Sequence, residues 1–254
     1  MPFLSIITIT FNAEKFIGKT IASVDQQVFK DFEYLLIDGN STDKTLEIAR
    51  KSGDLFDKIV SEPDKGLYDA MNKGLRLATG DYVWFVNAGD EIAASTITDD
   101  LFQLIQNEKP DVIYGETLFI DNDGTVLGKR SELTPHRLPR HLAWKDMKLG
   151  MLVCHQSFIV RREIAPFYIE NNLSADIDWE ISSLKSSQKT ILYNGVLSKY
   201  LIGGISNQQL KKSLIDRFLV LKKHFGLAAT MISHAQILAR GAKKIIKNKG
   251  EKYW

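Results

Sequence analysis

The stretch LSIITITFN, residues 4–12, consists mostly of apolar and β-branched side chains and ends in a polar residue. This pattern is typical of a strand that is buried on both faces of a parallel sheet. Four apolar residues then follow at helical spacing: Ile17, Ile21, Val24 and Val28. The alternation continues with helices predicted at 46–50 and 66–78 and strands at 33–37, 58–60 and 81–86. Strands that alternate with helices predict an α/β fold with right-handed crossovers.

Each of the four predicted strands is followed by acidic, amide or hydroxyl side chains. The strand ends are Thr10-Phe11-Asn12, Asp38-Gly39-Asn40, Ser61-Glu62-Pro63-Asp64 and Asn87-Ala88-Gly89-Asp90. Because ligands of such sheets bind outside the carboxyl ends of the strands, we expect these residues to line one binding edge.

Glycine-rich phosphate-binding loops are missing from this edge. The sequence has neither G-x-G-x-x-G after the first strand nor G-x-x-x-x-G-K-[ST], which argues against dinucleotide-dependent redox chemistry and P-loop NTP hydrolysis. Carboxylates without such a loop indicate a hard cation, Mn²⁺ or Mg²⁺, that binds substrate phosphate. Asp90 is the best-placed ligand, and the alternative is that residues 87–90 form an ordinary turn.

The second half of the chain is less regular. We predict a β-hairpin from 111–120 and 125–130, a loop at 131–150, a strand at 153–161, a helix at 176–187, a strand at 189–201 and two helices after residue 207. Residues 1–206 are therefore expected to form one α/β domain, and residues 207–254 a helical extension.

The composition is that of an ordinary globular protein, with 44% hydrophobic and 25% charged residues in 254. Cys154 is the single cysteine, so the chain has no intramolecular disulfide and no cysteine-based zinc site. The apolar start, residues 1–11, has no basic n-region and is too short to cross a bilayer. These features lead us to expect a protein of the cytoplasm.

Positive charge is concentrated at the C-terminus. Residues 209–254 contain eleven Lys or Arg against two acids, whereas the rest contains 22 bases and 29 acids. Leu214, Phe218 and Leu221 share one helical face among these lysines, which predicts a basic amphipathic element that binds an anionic membrane surface. The alternative is a solvated helix that packs one side on the body. Nucleic-acid binding is disfavoured because no aromatic platform or reader motif accompanies the charge.

Several motifs of the first 91 residues together resemble family 2 glycosyltransferases. They are SIITITFN at 5–12, DGNSTDKT at 38–45, SEPDKGLYDAMNKG at 61–74 and ATGDY at 78–82. The resemblance is dense over residues 4–91, thinner to about 206, and most like bacterial members that decorate exopolysaccharide, O-antigen or glycolipid. It implies a GT-A fold, a nucleotide-binding half at about 1–91, an acceptor and catalytic half at about 92–206, and inversion at the anomeric carbon.

The resemblance also implies roles for the residues at the strand ends. Thr10, Asn12 and Asp38 match positions that hold the base and ribose, and Asp64, Lys65 and Asp69 match the segment lining the nucleotide and sugar. Of the family's D-x-D metal motif, Asn87 stands at the first position and Asp90 matches the retained acid.

An inverting transfer needs a carboxylate to take the proton of the attacking hydroxyl. Asp176 matches the family's catalytic Asp; Ala175 replaces the Glu that usually precedes it, so Asp178 stays open as an alternative base. Asp176 also fits a helix cap, a role compatible with catalysis.

Other residues match positions near the sugars or at the end of the domain. His155 and Gln156 match a point near the acceptor and donor sugar, and Trp179 is a candidate for stacking on a sugar. For His155 and Trp179 a place in the core is the alternative. Residues 202–206 (IGGIS) resemble a loop that closes over the donor.

The resemblance implies an inverting glycosyltransferase, with a nucleotide-diphosphate sugar, UDP favoured, and a glycan or lipid-linked acceptor. The processive signature Q-x-x-R-W is absent, which favours transfer of one sugar per encounter. The basic C-terminus leads us to expect a peripheral enzyme on the inner face of the cytoplasmic membrane. Two other readings are a non-catalytic nucleotide-sugar-binding scaffold and a sugar-phosphate nucleotidyltransferase; the latter expects a G-x-G-T-R segment that this chain lacks.

Overall fold

The computed structural model describes residues 1–203 and 209–247. The strands are β1 Leu4–Thr10, β2 Phe32–Asp38, β3 Lys58–Ser61, β4 Tyr82–Phe85, β5 Glu91–Ile92, β6 Val112–Ile120, β7 Val126–Lys129, β8 Phe158–Arg161 and β9 Thr190–Leu201. The helices are α1 Ile17–Asp25, α2 Thr45–Arg50, α3 Leu67–Leu77, α4 Ile97–Glu108, α5 Arg130–Leu133, α6 Ala175–Ser186, α7 Leu210–Phe225 and α8 Leu227–Lys247.

All nine strands of the described chain belong to one mixed sheet. Its order is β3-β2-β1-β4-β8-β6-β9-β5, with β7 paired to β6. The first four strands are parallel, which confirms the alternating pattern of the N-terminal third. Beyond β4 the sheet turns antiparallel at β8, and the predicted hairpin is formed by β6 and β7. The ends of β1, β2, β3 and β4, the predicted binding edge, therefore lie along the same edge of this mixed α/β sheet.

The buried face of β1 explains why its sequence is so apolar. All seven residues of this strand are buried: Ile7 and Ile9 pack in a core cluster with α3, and Leu4 and Ile6 belong to a second cluster on the other face. At Gly74 of α3 a Cβ atom would lie 2.6 Å from Ile7, so only glycine permits this close approach of helix and strand.

The ATG motif at residues 78–80 has a structural role. The Glu33 carboxylate accepts hydrogen bonds from the Ser5 hydroxyl and from the backbone N–H groups of Thr79 and Gly80. Burial acts to raise the pKa of Glu33, but these hydrogen bonds outweigh it and lower the pKa. At Gly80 a Cβ atom would lie 2.6 Å from the backbone nitrogen of Ser5. The motif therefore ties the start of β4 to β1 and β2.

Three local predictions were wrong. Helix α1 ends at Asp25, so Val28 does not continue its apolar face. Val28 is exposed, and its N–H donates to the carbonyl of Ser95. The predicted loop at 131–150 contains a short 3₁₀ helix at Trp144–Leu149 besides part of α5. Residues His155–Ser157 also form a 3₁₀ turn, so the strand predicted at 153–161 begins only at Phe158.

Helices α7 and α8 pack on the body of the protein. Val220 and Leu221 of α7 are buried in the same core as β1 and α6. The sequence pattern predicted that the side of α7 with Leu221 binds a membrane. Leu221 instead faces the core, as expected for the alternative of a helix that packs one side on the body. The exposed apolar residues of the two helices are Ile215, Leu219, Leu227, Met231 and Ile232. Among the described residues no helix is long and apolar enough to cross a bilayer.

Candidate active site

Asp38 joins the ends of β2 and β3. Its buried carboxylate accepts hydrogen bonds from the backbone N–H of Ser41 at 2.9 Å, from the Ser41 hydroxyl, and from the Ser61 hydroxyl at 2.6 Å. Because these donors come from the protein itself, the carboxylate fixes the loop that follows β2, and a role in holding a nucleoside stays a prediction.

Asn12 and Phe11 shape the rim at the end of β1. Asn12 adopts a left-handed backbone conformation, φ 48°, and its side-chain oxygen accepts the Thr42 N–H at 2.9 Å. The neighbouring Phe11 ring is 63% exposed and lies against Gly39. Thr10 is buried, and its hydroxyl has no hydrogen-bond partner in the described part of the chain. Phe11 was not singled out from the sequence, although an exposed aromatic at a strand end is a usable signal.

Lys73 of α3 gathers the acidic residues of the segment after β3. Its ammonium lies 2.5 Å from Asp64, 3.0 Å from Glu62 and 3.8 Å from Asp69. Asp69 also accepts the backbone N–H of Lys65 at 3.0 Å. Burial acts to lower the pKa of Lys73, but the bonds to Asp64 and Glu62 raise it. The structure thus brings Asp64, Lys65 and Asp69 together.

Asp90 follows β4 and is buried. Its carboxylate accepts the Leu201 N–H at 3.0 Å and a hydrogen bond from the Gln156 side chain. Burial raises the pKa of Asp90 to about 7, against the effect of these two hydrogen bonds. Gln156, which accepts the Cys154 thiol at 3.1 Å, therefore holds Asp90.

Asn87 and Asp90 supply oxygen ligands of the kind that a hard cation takes. The side-chain oxygen of Asn87 is buried and has no hydrogen-bond partner among the described residues. No group of three or more His, Cys, Asp or Glu side chains suited to a metal occurs within residues 1–203 and 209–247. Mg²⁺ and Mn²⁺ fit this sparse set, because they need one or two protein oxygens and complete their shell with water and substrate phosphate. Asp90 would be the ligand, with Asn87 beside it.

Asp176 lies in the first turn of α6. Its backbone N–H donates a hydrogen bond to the Tyr68 hydroxyl of α3, and its carboxylate accepts the Ile177 N–H at 2.8 Å. Burial raises the pKa of Asp176 to about 6, while the Ile177 hydrogen bond and the charge of Arg217 oppose the rise. The carboxylates of Asp90 and Asp176 both interact electrostatically with the hydroxyl of Tyr200 on β9 and act to raise its pKa. Both acids are therefore within electrostatic reach of one side chain.

The alternative base, Asp178, is committed elsewhere. Its buried carboxylate accepts hydrogen bonds from His224 at 2.7 Å and from Lys223 at 2.8 Å, both on α7. Although burial acts to raise it, these partners lower the pKa of Asp178. A carboxylate that is held by two donors is a weak proton acceptor, so the geometry favours Asp176 of the two.

Glu180 lies one helical turn after Asp176. Its carboxyl is completely buried, and neither oxygen has a hydrogen-bond partner in the described part of the chain. Burial, together with the charge of Asp176, raises the pKa of Glu180, against the effect of Arg130. The sequence analysis missed Glu180, Arg217 and Tyr200, because nothing in their local pattern distinguishes them from ordinary helix and strand residues.

His155 and Trp179 lie in the core of the protein. The Trp179 ring is 0% exposed, stacks on Tyr168 at 5.1 Å and donates its N–H to the Pro166 carbonyl. The His155 ring contacts the Tyr168 hydroxyl at 3.0 Å, and burial lowers its pKa to about 4. The burial of both rings favours the alternative, a place in the core, and a role near the sugars stays a prediction.

One sequence motif is only partly described. In the IGGIS loop, residues 204–206 lie outside the described residues. A donor-closing role for this loop stays a prediction.

Comparison with known proteins shows the family of this chain. The sequence profile described as glycosyl transferase family 2 matches residues 5–166. A PGL/p-HBAD biosynthesis glycosyltransferase of Mycobacterium bovis is 30% identical over 226 residues, which are 85% of this chain and 84% of the relative. An uncharacterised glycosyltransferase of Methanocaldococcus jannaschii is 27% identical over 88% of this chain and 80% of its own length.

Solved structures share the fold. Staphylococcus aureus TarS residues 1–349, in complex with UDP-GlcNAc, superposes with a TM-score of 0.72 at 19% identity, covering 93% of this chain and 72% of TarS residues 1–349. The mannosyltransferase PcManGT of Pyrobaculum calidifontis, in complex with GDP-Man and Mn²⁺, gives a TM-score of 0.63 at 15% identity over 98% of this chain and 79% of its own. The fold is that of GT-A glycosyltransferases. With the profile over more than half of the chain and a relative at 30% identity, this protein belongs to glycosyl transferase family 2.

Proposed function

We propose that this protein is an inverting, non-processive glycosyltransferase. It would move one sugar from a nucleotide-diphosphate sugar, UDP favoured, to a hydroxyl of a glycan or lipid-linked acceptor in cell-surface polysaccharide biosynthesis. The observation that carries the proposal is that Asp90 and Asp176, which the family motifs single out, both interact electrostatically with Tyr200. The relative from Mycobacterium bovis, named for PGL/p-HBAD biosynthesis, supports an acceptor of the glycolipid kind.

In this mechanism Asp176 is the base. The acceptor oxygen attacks the anomeric carbon while the bond from that carbon to the diphosphate oxygen breaks, and Asp176 takes the hydroxyl proton. A pKa of about 6 leaves most of the carboxylate ionised at neutral pH and places it near the operating pH, where a general base is most efficient.

The donor would lie across the strand ends. The exposed ring of Phe11 offers an apolar face for the nucleobase, and the loop fixed by Asp38 and Asn12 borders it. A divalent cation held at Asp90, when bound, offsets the charge that builds on the leaving diphosphate. Mn²⁺ in the PcManGT complex supports a divalent ion but does not select between Mn²⁺ and Mg²⁺.

Two measurements on the same variants test the proposal. The first is thermal unfolding with UDP, GDP, dTDP or CDP, each in Mn²⁺, Mg²⁺ or EDTA, because a ligand of the native state raises its stability. The second is release of the nucleoside diphosphate from the matching sugar donor, with and without lipid-linked acceptors. We expect Asp176→Asn to keep the nucleotide-induced shift and to lose turnover by a factor on the order of 10³.

Asp90→Asn should lose the metal-dependent part of the thermal shift as well as turnover. Asp54→Asn, which changes an exposed acid, is the matched control and should change neither. If Asp176→Asn turned over donor like the parent, Asp176 would not be the base. If no nucleotide produced a shift and no donor were consumed, a non-catalytic scaffold would be the better reading.

A membrane-surface location on the inner face of the cytoplasmic membrane is part of the proposal. Support comes from the exposed side of α8, where Leu227, Met231 and Ile232 are more than half exposed and no charged residue occurs from Leu227 to Ile237. Basic residues follow in the sequence: Arg240, Lys243, Lys244, Lys247 and Lys249. Apolar exposure beside positive charge is the pattern of an interfacial helix.

Sedimentation with vesicles tests this location. We expect binding to vesicles that contain anionic lipid, weaker binding at high salt, and a further loss in Ile232→Glu. Ala228→Glu, which adds the same charge at an exposed alanine of the same helix, shows how much of the loss is repulsion alone. Equal sedimentation with neutral and anionic vesicles would exclude the electrostatic part of the proposal.

A further inference from the structure

Asp216 of α7 holds the segment that leads into α6. Its buried carboxylate accepts the Leu173 N–H at 2.7 Å and a hydrogen bond from the Lys212 ammonium, one turn earlier on the same helix. Lys212 in turn donates to the Asn171 carbonyl at 2.9 Å. Burial acts to raise the pKa of Asp216, but the hydrogen bonds from Lys212 and Leu173 lower it, so the carboxylate is charged at neutral pH. One buried anion thus joins α7 to the chain three residues before Asp176.

The segment takes a conformation that is supported from outside. Asn171 adopts a left-handed backbone conformation, φ 59°, which is uncommon for residues other than glycine. The Leu173 carbonyl accepts a hydrogen bond from the Tyr68 hydroxyl of α3 at 3.4 Å. Leu173 is therefore fixed from two sides, by α7 through its N–H and by α3 through its carbonyl.

Helix α6 begins without the usual side-chain cap. A serine at the N-cap position typically accepts a hydrogen bond from an N–H of the first turn. Ser174 occupies this position but makes no such bond, and its hydroxyl donates instead to the Ser213 carbonyl of α7 at 3.2 Å. Asp176, which is half-buried, follows in this first turn. The start of α6 is therefore tied to α7 both at Leu173 and at Ser174.

We propose that Asp216 is a positioning residue that fixes the Asp176 carboxylate for the transfer, so that α7 completes the candidate active site. This inference rests on the proposed role of Asp176 as the base. Asp216 acts through the Leu173 peptide group. A base takes a proton only within hydrogen-bond reach of the hydroxyl, and a displacement of about 1 Å costs on the order of 10² in rate. The proposed donor site is built from other segments, so loss of Asp216 should lower kcat and leave donor binding unchanged.

The first test compares kcat with the KM of the donor in the full chain, for the donor that the nucleotide measurements select. Asp216→Leu removes the acceptor of the Leu173 N–H and should lower kcat by a factor on the order of 10². The donor KM and the nucleotide-induced thermal shift should stay at their parent values. Asp216→Asn keeps a side-chain oxygen that can accept the Leu173 N–H, and it should recover most of kcat.

Asp57→Leu is the matched control. The exposed Asp57 accepts the Tyr34 N–H at 2.7 Å, so this variant loses the same kind of hydrogen bond at the start of β3 and should keep the parent kcat. If Asp216→Leu does not fold, Asp216→Ser replaces it, because its shorter side chain does not extend to the Leu173 N–H.

The second test measures the segment itself and requires no substrate. Backbone order parameters from ¹⁵N relaxation should lie near about 0.85 for residues 173–177 of the parent and fall below about 0.6 in the variant without the carboxyl group. Parent values of kcat, or of these order parameters, in a folded variant of this kind would overturn the proposal. Turnover in Asp176→Asn would instead refute the role of the base, and a parent without turnover the proposed function, so the failures are distinguishable.

Discussion

Asp38 in the proposed nucleotide-binding half and Glu180 in the proposed catalytic half are both carboxyl groups with no exposed surface. Asp38 accepts three hydrogen bonds, from the backbone and hydroxyl of Ser41 and from the Ser61 hydroxyl. Glu180 accepts none from the described residues. Two further acids of the candidate site, Asp90 and Asp176, also have raised pKa values, of about 7 and about 6.

The contrast separates two uses of a buried acid. Around Asp38 the donors are in place before any ligand arrives, so the acid fixes the shape of a binding loop. Around Asp90, Asp176 and Glu180 burial outweighs the donors present, so charge in this region depends on what is bound and on pH. The first arrangement stabilises the fold, and the second stores an electrostatic cost where the chemistry is proposed to occur.

The largest effect on the free energy of unfolding is expected from removing Asp38, the acid that is hydrogen-bonded by the protein. Asp38→Ala leaves the Ser41 N–H and the Ser61 hydroxyl without their acceptor, and we expect a loss of about 4 kcal/mol in the free energy of unfolding. Urea unfolding measures this loss. Asp54→Ala, at an exposed acid of the same half, should change it by less than about 0.5 kcal/mol. A loss for Asp38→Ala as small as that would mean that the loop does not depend on the carboxylate.

At Asp176, in contrast, removing the charge is expected to raise the free energy of unfolding. Because its folded pKa is raised above the unfolded value, the stability linked to Asp176 is present at low pH and is lost as the pH rises through about 6. Asp176→Asn should therefore unfold less readily than the parent at pH 8, by on the order of 2 kcal/mol, and lose this advantage toward pH 4. Urea unfolding at the two pH values checks the sign. A variant less stable than the parent at pH 8 would contradict it.

The smallest effect is expected at Glu180. Burial raises the pKa of Glu180, so the stability linked to its neutral form is present at acidic pH and is lost as the pH rises through the raised value. Glu180→Gln keeps the shape of the neutral carboxyl, and we expect less than about 1 kcal/mol of change in the free energy of unfolding at acidic pH. A loss comparable to that of Asp38→Ala would show that Glu180 is hydrogen-bonded in solution, and the contrast between the halves would fail.

The first half was predictable because local pattern and fold agree there. The apolar run of β1 and the helical spacing after it suffice to give a parallel sheet, and the topology then brings Asp38 and Ser61 together. The end of helix α1 was predicted wrongly, since the N–H of Val28 is hydrogen-bonded to Ser95, which lies 67 residues away in sequence.

The catalytic half was predictable only in part. Asp176 was predicted from a family motif. Arg217 of α7 and Tyr200 of β9 interact electrostatically with it, and no local sequence pattern predicts these interactions. The burial of Trp179 and His155 is equally non-local, because it results from the packing of Tyr168 and Phe85 around them. Contacts between distant segments decide which polar residues of this half are exposed to a ligand.

The few polar contacts between α7 and the segment at 173–178 have a consequence for local unfolding. Segments of a protein open with different free energies, and a helix near the end of the chain can open while the central sheet stays folded. Opening of α7 would detach Asp216 from Leu173 and His224 from Asp178 without breaking a strand pair of the sheet. Heat inactivation should then precede the loss of β-sheet signal, and the amide protons of α7 should exchange with solvent before those of β1.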